Sequence, residues 1–592
     1  MAKLPKLSLK HLGDAMAGSL RRFPLPLAAA ALAALQAIIL THREHLWEGW
    51  DQGWQRFAFL VLAFFGLLAV KLLVESRRWP LLVQIGLTVV CLGLLAWRVF
   101  ILPAEVGDLV HPPLIFLLAG LVLLVTVAPF FRAGVTNNAF WDFNRASWLA
   151  AALGLAAAVI LAVGATSAVY AIETLFNVRI DHEITQDIWT LCFCVLWPWL
   201  TLANVPRHFD SAQSQIPWGL KVLAGYILVP LVLVYLVILY AYLAQIVILW
   251  DLPKGQVATL TSAYATLGVA TYLMIYPLRD QLTLARLYHR WFFPALLPPL
   301  GLLAVALWQR ISDYGVTEHR YAVGLLGFWL LLGVLFFSWR RAPRLVLLPL
   351  ALSLFLGAAS VGPWGAVELS TRSQLAELTA LLKANGLLAD GRVRKTDASV
   401  PFETTKRIGS IISYFTRAKR RTALAPIFAD SGVEPFDEAN VEQLMGAMGL
   451  DYIHAYQTEV SLTFQAMRQG EAMDVAGFDL VGQISLYDDT PFTLRQPETD
   501  RSYQIRLMPS GQAITVTGTQ LPGVTLPLGP LLERMRGHQL GDEEQAREMV
   551  LEATTEGLSV RLYLTMLHGQ IPEDTPKVTS AYGMIALKDK SP

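Results

Sequence analysis

The sequence predicts a membrane all-α helical bundle of about eleven transmembrane helices, followed by a soluble α+β domain. Three observations predict it. The 592 residues are 54% hydrophobic and only 16% charged, where an ordinary soluble domain has about 25% charged residues. Long apolar runs succeed one another from residue 25 to residue 362 and then stop. Beyond Gly362-Pro363-Trp364 helical spacing, and then strand-like alternation, takes over.

A span needs about 20 apolar residues to cross a hydrocarbon core of about 30 Å. Eleven stretches meet or approach that length: 25–41, 57–75, 80–101, 112–131, 148–171, 187–205, 219–249, 257–278, 291–309, 321–338 and 344–362. The seventh contains Pro230 and is expected to tilt or kink; the sixth holds Pro198 between two tryptophans; the ninth contains Pro294, Pro298 and Pro299. Arg21 and Arg22 before an Ala/Leu-rich run mimic a secretion signal, but further spans follow at once, so the run reads as an uncleaved first span. Residues 1–24 read as a cytoplasmic amphipathic N-terminus, with Leu9, Leu12, Met16 and Leu20 in a stripe beside Lys6, Lys10 and Arg21, as in a helix lying on the membrane surface.

Charge sets the orientation. Residues 1–364 carry 25 Lys+Arg against 17 Asp+Glu, and residues 365–592 carry 22 against 29. Neither half is basic enough to suggest nucleic acid as a partner. With the N-terminus in the cytoplasm, the cytoplasmic segments hold 16 basic residues and the opposite loops 7, which satisfies the positive-inside rule. Eleven spans then leave residues 365–592 in the periplasm of a two-membrane bacterium. Cys91, Cys192 and Cys194 all lie in apolar runs and read as packing residues.

The segment TNNAFWDFNRASWL, 136–149, falls on the cytoplasmic side before the fifth span. Asn138, Trp141, Arg145 and Trp148 share one helical face. The expectation is a short helix lying in the interface and turning into the span, an anchoring collar. The sharper alternative is a headgroup or partner site built from Asn137, Asn138, Trp141 and Asn144. After residue 364, helices are expected at 370–386, 404–418 and 438–448, then strands at VSLTF, FDLVGQISLY, YQIRLM, AITVTGT, SVRLYLTML and SAYGMIALK, with helices near 528–537 and 543–553.

Several stretches together resemble a known family. They are TNNAFWDFNRASWLAA, the long seventh span followed by WDLPKG, the YPLRD ending of the eighth, and GPWGAVELSTRSQLAELTALLKANGLL. They are similar to the bacterial polytopic membrane proteins grouped as domain of unknown function 4153, over residues from about 15 to beyond 450. The resemblance implies an inner-membrane protein with a soluble C-terminal region. That family has no accepted activity, so no functional residues carry over.

Candidate chemistry is sparse. No phosphate loop, dinucleotide fingerprint, HExxH or GxSxG context occurs. His42, His45, His111, His182 and His319 lie in or beside the outward loops with several carboxylates. Imidazole with carboxylate suits zinc-like ions, and His42 and His45 share a helical face, yet polar loops explain the same residues. Glu44, Glu48 or Asp51 would be the base in a membrane glycosyltransferase using a lipid-linked donor, though its loop is short for an active site. A transporter would work through Gln84, Gln245 and Tyr240, since no deep carboxylate suggests proton coupling. In the C-terminal domain a basic run includes Arg392, Arg394, Lys395, Lys406, Arg407, Arg417, Lys419, Arg420 and Arg421. It reads as a solvated face or as a surface for an anionic headgroup or envelope polymer. The reading is an uncharacterised inner-membrane protein of the cell envelope, serving as a sensing, scaffolding or accessory protein without its own catalysis. It needs no cofactor, and its partners are the lipid bilayer and an envelope protein or anionic envelope polymer.

Overall fold

The computed structural model describes residues 9–42, 52–101, 111–132, 134–210, 218–249, 256–339, 343–395, 400–429, 431–433, 440–453, 461–465, 474–487, 490–496, 501–518, 523–534, 549–555, 557–570 and 577–589. The chain divides into two compact units. Residues 1–394 with 414–438 form the first, and residues 395–413 with 439–592 the second.

Among the described residues, eight helices of the first unit are long and apolar enough to cross a membrane. They are Pro24–Thr41, Gly53–Arg77, Leu81–Phe100, Pro112–Phe130, Asn137–Phe176, Trp218–Leu249, Thr283–Tyr314 and Glu318–Trp339. The three other apolar stretches are helical but less plainly spans. Stretch 182–203 contains a π segment, Gln256–Met274 is rich in Thr and Ser, and Leu347–Ala359 has only 13 residues.

Local chemistry explains where these helices start, stop and bend. Thr136 caps the Asn137–Phe176 helix by accepting the Ala139 N–H at 3.2 Å. Asn177, at φ 50°, closes its far end in the left-handed region that asparagine tolerates. The π segments Cys192–Leu196 and Val222–Leu228 each end two residues before a proline, Pro198 and Pro230. Proline has no N–H to give the carbonyl four residues back. In both places the residue before the proline reaches five residues back instead, Trp197 N–H to Cys192 O and Val229 N–H to Ala224 O. Pro294 breaks the Thr283–Tyr314 helix at Leu296, whose N–H donates to Phe293 O.

The expected interfacial helix at 136–149 is corrected. The segment is the first part of one continuous 40-residue helix. Phe140, Trp141 and Phe143 are buried in the main core with Phe130 and Phe209, while Trp148 is exposed. Edge-to-face packing of Phe130 on Phe140 and Phe143 favours that burial over the interface. The N-terminal helix Leu9–Arg22 is also not a free surface helix. Trp199 donates to Met16 O at 3.1 Å, Ser19 is buried and Leu20 is exposed.

In the first unit β1 (Leu388–Ala389) and β2 (Arg392–Val393) form a short antiparallel pair. In the second unit, β3 (Ser461–Gln465), β10 (Leu558–Gln570), β11 (Lys577–Asp589) and β4 (Leu480–Tyr487) form an antiparallel sheet in that order, and β9 (Val550–Thr554) also pairs with β10. A meander of β5 (Phe492–Arg495), β6 (Ser502–Leu507), β7 (Ala513–Gly518) and β8 (Val524–Pro527) forms the other sheet. Alternate residues of both sheets meet in one core, among them Ile484, Ile505, Val516, Leu526, Leu562 and Ile585. The helix expected at 543–553 is corrected at its end. Val550–Thr554 is a strand in register with Ser559–Tyr563, satisfying its backbone in the ladder.

Candidate functional site

Pairings between loops sort the first unit into two ends. Arg22 meets Glu75 at 3.1 Å and donates to the carbonyls of Val205 and Pro206 at 2.7 and 2.8 Å. Arg132 pairs with Asp210. Asn137 donates to Pro343 O at 2.9 Å and accepts from Leu345 N–H at 3.0 Å. Residues 22, 75, 132, 137, 205–210 and 343–345 therefore share one end, the basic end. The 18-residue Pro24–Thr41 helix carries the chain about 27 Å away to His42. At that opposite end Arg98 donates to Ser360 O at 2.6 Å, Tyr321 to Trp364 O at 3.0 Å, and Gln374 to Tyr314 O and Val316 O at 2.9 and 3.1 Å.

An ionic cluster built on Glu318 lies there. Glu318 opens the Glu318–Trp339 helix. Its Oε1 accepts from the Tyr414 hydroxyl at 2.8 Å and from the Arg420 guanidinium. Arg420 also donates to the Tyr414 oxygen at 3.0 Å. A helix stop aims Arg420 inward. Lys419 sits at φ 52°, its N–H donates to Thr416 O, and the Arg420 N–H reaches back to Phe415 O. His111 is buried beside this cluster, and its Nδ1 has no hydrogen-bond partner. Burial, and then the positive charges of Arg420 and Arg98, push its pKa down to about 4. The arrangement holds charge and fixes loops.

Of the basic run, Arg420 is thus committed to Glu318, while Arg417 and Lys419 are exposed and Arg421 is half-buried. The asparagines separate as well. Asn137 ties the chain at Pro343 and Leu345, Asn138 is exposed, and Asn144 donates to Thr126 O and Phe140 O at 3.2 and 2.9 Å. Trp141 is buried. These residues do not form one headgroup surface.

Among the histidines expected in outward loops, His42 ties two helices together. Its Nδ1 meets Glu183, and its Nε2 lies 2.9 Å from Asp187. The Asp187 hydrogen bond chiefly, with both carboxylate charges, raises its pKa. Both ring nitrogens face carboxylates, and no group of three or more His, Cys, Asp or Glu side chains arranged to hold a metal ion occurs among the described residues. His45, Glu44, Glu48 and Asp51 lie outside the described residues. The transporter candidates do not converge: Gln84 is half-buried, Gln245 exposed, and Tyr240 donates to Ala295 O at 2.9 Å.

Sequence reasoning missed a polar aromatic nest. Tyr272 stacks on His289 at 3.8 Å, Tyr276 packs on its edge, and Arg279 caps the Tyr276 ring at 4.0 Å. The Tyr288 hydroxyl donates to Gly268 O at 2.9 Å, and His289 Nε2 is buried without a partner. The one available signal was the close recurrence of tyrosine, with Tyr264 and Tyr272 on the Gln256–Met274 helix and Tyr276 in the turn just past its end.

No solved structure matches the chain. A Pasteurella multocida (strain Pm70) protein described as uncharacterized is 29% identical over 257 residues, 43% of this chain. The match covers 44% of that relative, so the chain spans under half the length of the curated relative it matches. The family model described as Domain of unknown function (DUF4153) matches residues 27–381. The protein is an integral membrane chain by its apolar helices, and by the extent of that match it belongs to the DUF4153 family.

Proposed function

We propose that the protein is an inner-membrane component of the bacterial cell envelope that crosses the bilayer eleven times. Residues 1–24 lie in the cytoplasm, 25–364 form the membrane domain, and 365–592 are displayed in the periplasm. It acts as a sensing, scaffolding or accessory protein through that C-terminal region, without its own catalysis, toward an envelope protein or anionic envelope polymer. One observation carries the reading. The chain that follows the last apolar helix bonds to loops at the end opposite Arg22: Ser360 to Arg98, Trp364 to Tyr321, and Gln374 to Tyr314. An odd number of crossings has this consequence, and the basic residues gather at the other end, as the positive-inside rule requires of a cytoplasmic face.

The test is a pair of fusions to alkaline phosphatase, which is active only outside the cytoplasm. A fusion after Pro592 is expected to be active and a fusion after Arg344 inactive. The reverse pattern overturns both the crossing number and the periplasmic placement. Role is tested separately: removing residues 365–592 should abolish function while the membrane part still inserts. A transporter is the second reading, favoured by the buried, unpartnered His289 Nε2 in its tyrosine nest. It predicts loss of function for His289→Ala with the C-terminal region intact.

A further inference from the structure

The long strand β10 does not pair evenly with β11. Their register slips twice, between Leu564 and Met566 and again between His568 and Gly569. A glycine stands at each slip. A side chain on Gly583, opposite Leu564, would collide with the Tyr563 backbone, and one on Gly569 with the backbone of Lys577. Both irregularities are thus built into the sequence, and they bracket one triplet, Met566-Leu567-His568. Bulges re-aim side chains and are frequent beside functional sites.

Within the triplet Leu567 is buried in the core between the sheets. Met566 and His568 lie on the face turned away from that core, both half-buried. Side chains two residues apart on a strand are normally rooted about 7 Å apart and stand side by side. Here they converge: His568 Nε2 lies 3.0 Å from the Met566 sulfur. The surroundings hold the pair in place. Tyr582, opposite Met566 in register, stands perpendicular to the His568 ring at 6.3 Å and to the Tyr487 ring at 5.5 Å. The Tyr582 hydroxyl donates to the Tyr487 oxygen at 3.0 Å. Thr579 donates to the His568 carbonyl and Thr565 to the Tyr582 carbonyl, both at 3.2 Å.

The donor types select the ligand. A thioether is a soft, uncharged donor that calcium and magnesium do not use, and imidazole suits copper, zinc, iron and nickel. The two preferences coincide at copper(I), because zinc is held by thiolate, imidazole or carboxylate, usually four donors together. The described side chains facing the pair on this sheet, Tyr487, Ser485, Ser580 and Tyr582, carry no charge. A divalent ion there would lack a counter-charge, which a monovalent ion needs less. With bonds of about 2.3 Å to sulfur and about 2.0 Å to nitrogen, donors 3.0 Å apart subtend about a right angle at one ion. Further positions on the ion remain for water. We propose that Met566 and His568 form a binding site for one soft monovalent metal ion, copper(I). The ion replaces the direct contact between Nε2 and the sulfur. The site belongs to the second unit alone, and neither membrane orientation nor the role proposed above enters it.

The experiment uses the full-length protein in detergent without oxygen. Copper(I) is supplied as its bicinchoninate complex, whose colour reports the metal that the protein withdraws. The chain has 12 methionines and 11 histidines, so the informative quantity is the difference between proteins. Wild type should withdraw one equivalent that Met566→Leu and His568→Gln each bind at least about tenfold more weakly. X-ray absorption at the copper edge should show one sulfur at about 2.3 Å, lost in Met566→Leu. Zinc(II) should not compete. Equal withdrawal by the three proteins, or a spectrum without sulfur, overturns the proposal. So does competition by zinc(II) at equal affinity, the mark of a site using imidazole alone. Wild type by itself supplies a second test, free of any question of variant folding. Silver(I), a redox-inert substitute, should slow the oxidation of Met566 by hydrogen peroxide, followed by mass spectrometry. It should leave Met508, 38% exposed, unchanged. Equal oxidation of Met566 with and without silver(I) overturns the proposal.

Discussion

At the end of the bundle that holds Arg22, most ties run from side chains to backbone groups. Arg22 reaches two carbonyls besides Glu75, and Asn137 serves a carbonyl and an N–H. At the end that holds Glu318, several of the ties run between side chains, and histidines sit among them: Glu318 with Tyr414 and Arg420, and His42 with Glu183 and Asp187. Backbone groups do not change charge with pH, whereas imidazoles do. The first end is thereby a fixed clamp, and the second answers to its surroundings.

The sharpest way to break the contrast is Arg22→Ala. It strands Glu75 and two carbonyls around a side chain only 12% exposed, and should cost about 3 kcal/mol, with no pH dependence between pH 6 and 8. Thermal unfolding in detergent reads both. Glu318→Ala strands Arg420, itself 13% exposed, and should cost about 2 kcal/mol. It should also quicken proteolysis within 414–438, where Arg22→Ala should not. Asn137→Ala loses two hydrogen bonds and should cost about 1–2 kcal/mol, freeing the connection at Pro343.

Smaller effects sharpen the contrast through pH. The His42 pKa is raised in the folded chain, so its contribution is full below about 6.5 and is lost as pH rises through the raised value. The His111 pKa is pushed down to about 4, so its contribution is present above about 6.5 and is lost as pH falls toward 4. His42→Gln should flatten the alkaline limb of the stability profile, and His111→Gln the acid limb. Limbs that persist in both variants would show that other groups set the response. The smallest effect is Lys419→Gly, which relieves a positive φ and should stabilise the Arg420 turn by up to about 1 kcal/mol.

How much of this was legible depended on which physical signal carried it. Apolar length marked the helices, because crossing a hydrocarbon core demands it. It marks eight helices plainly and is equivocal where polarity or shortness intrudes, as at 182–203, Gln256–Met274 and Leu347–Ala359. Alternation found β3, β4, β6, β7, β10 and β11, but not β5 and β8, which are only four residues long, nor β9, which falls where a helix was expected. The basic run was visible; the inward turn of Arg420 was not, because it depends on a left-handed lysine and a glutamate 102 positions away. Trp141 was placed in the interface by residue type, yet it is buried in the core cluster that gathers residues from many segments of the first unit. Single positions revealed type, and the partners that decide use came from elsewhere in the chain.

The π segments before Pro198 and Pro230 have one more consequence. Each holds a residue beyond the α-helical count, and so rotates every later side chain by about 100° relative to an unbroken helix. Deleting one residue from Cys192–Leu196 would restore the α phase and swing Trp197 away from the Ala151 carbonyl to which it donates at 2.9 Å. The inserted residue thus works as a phase offset, setting which neighbours the second half of the helix meets.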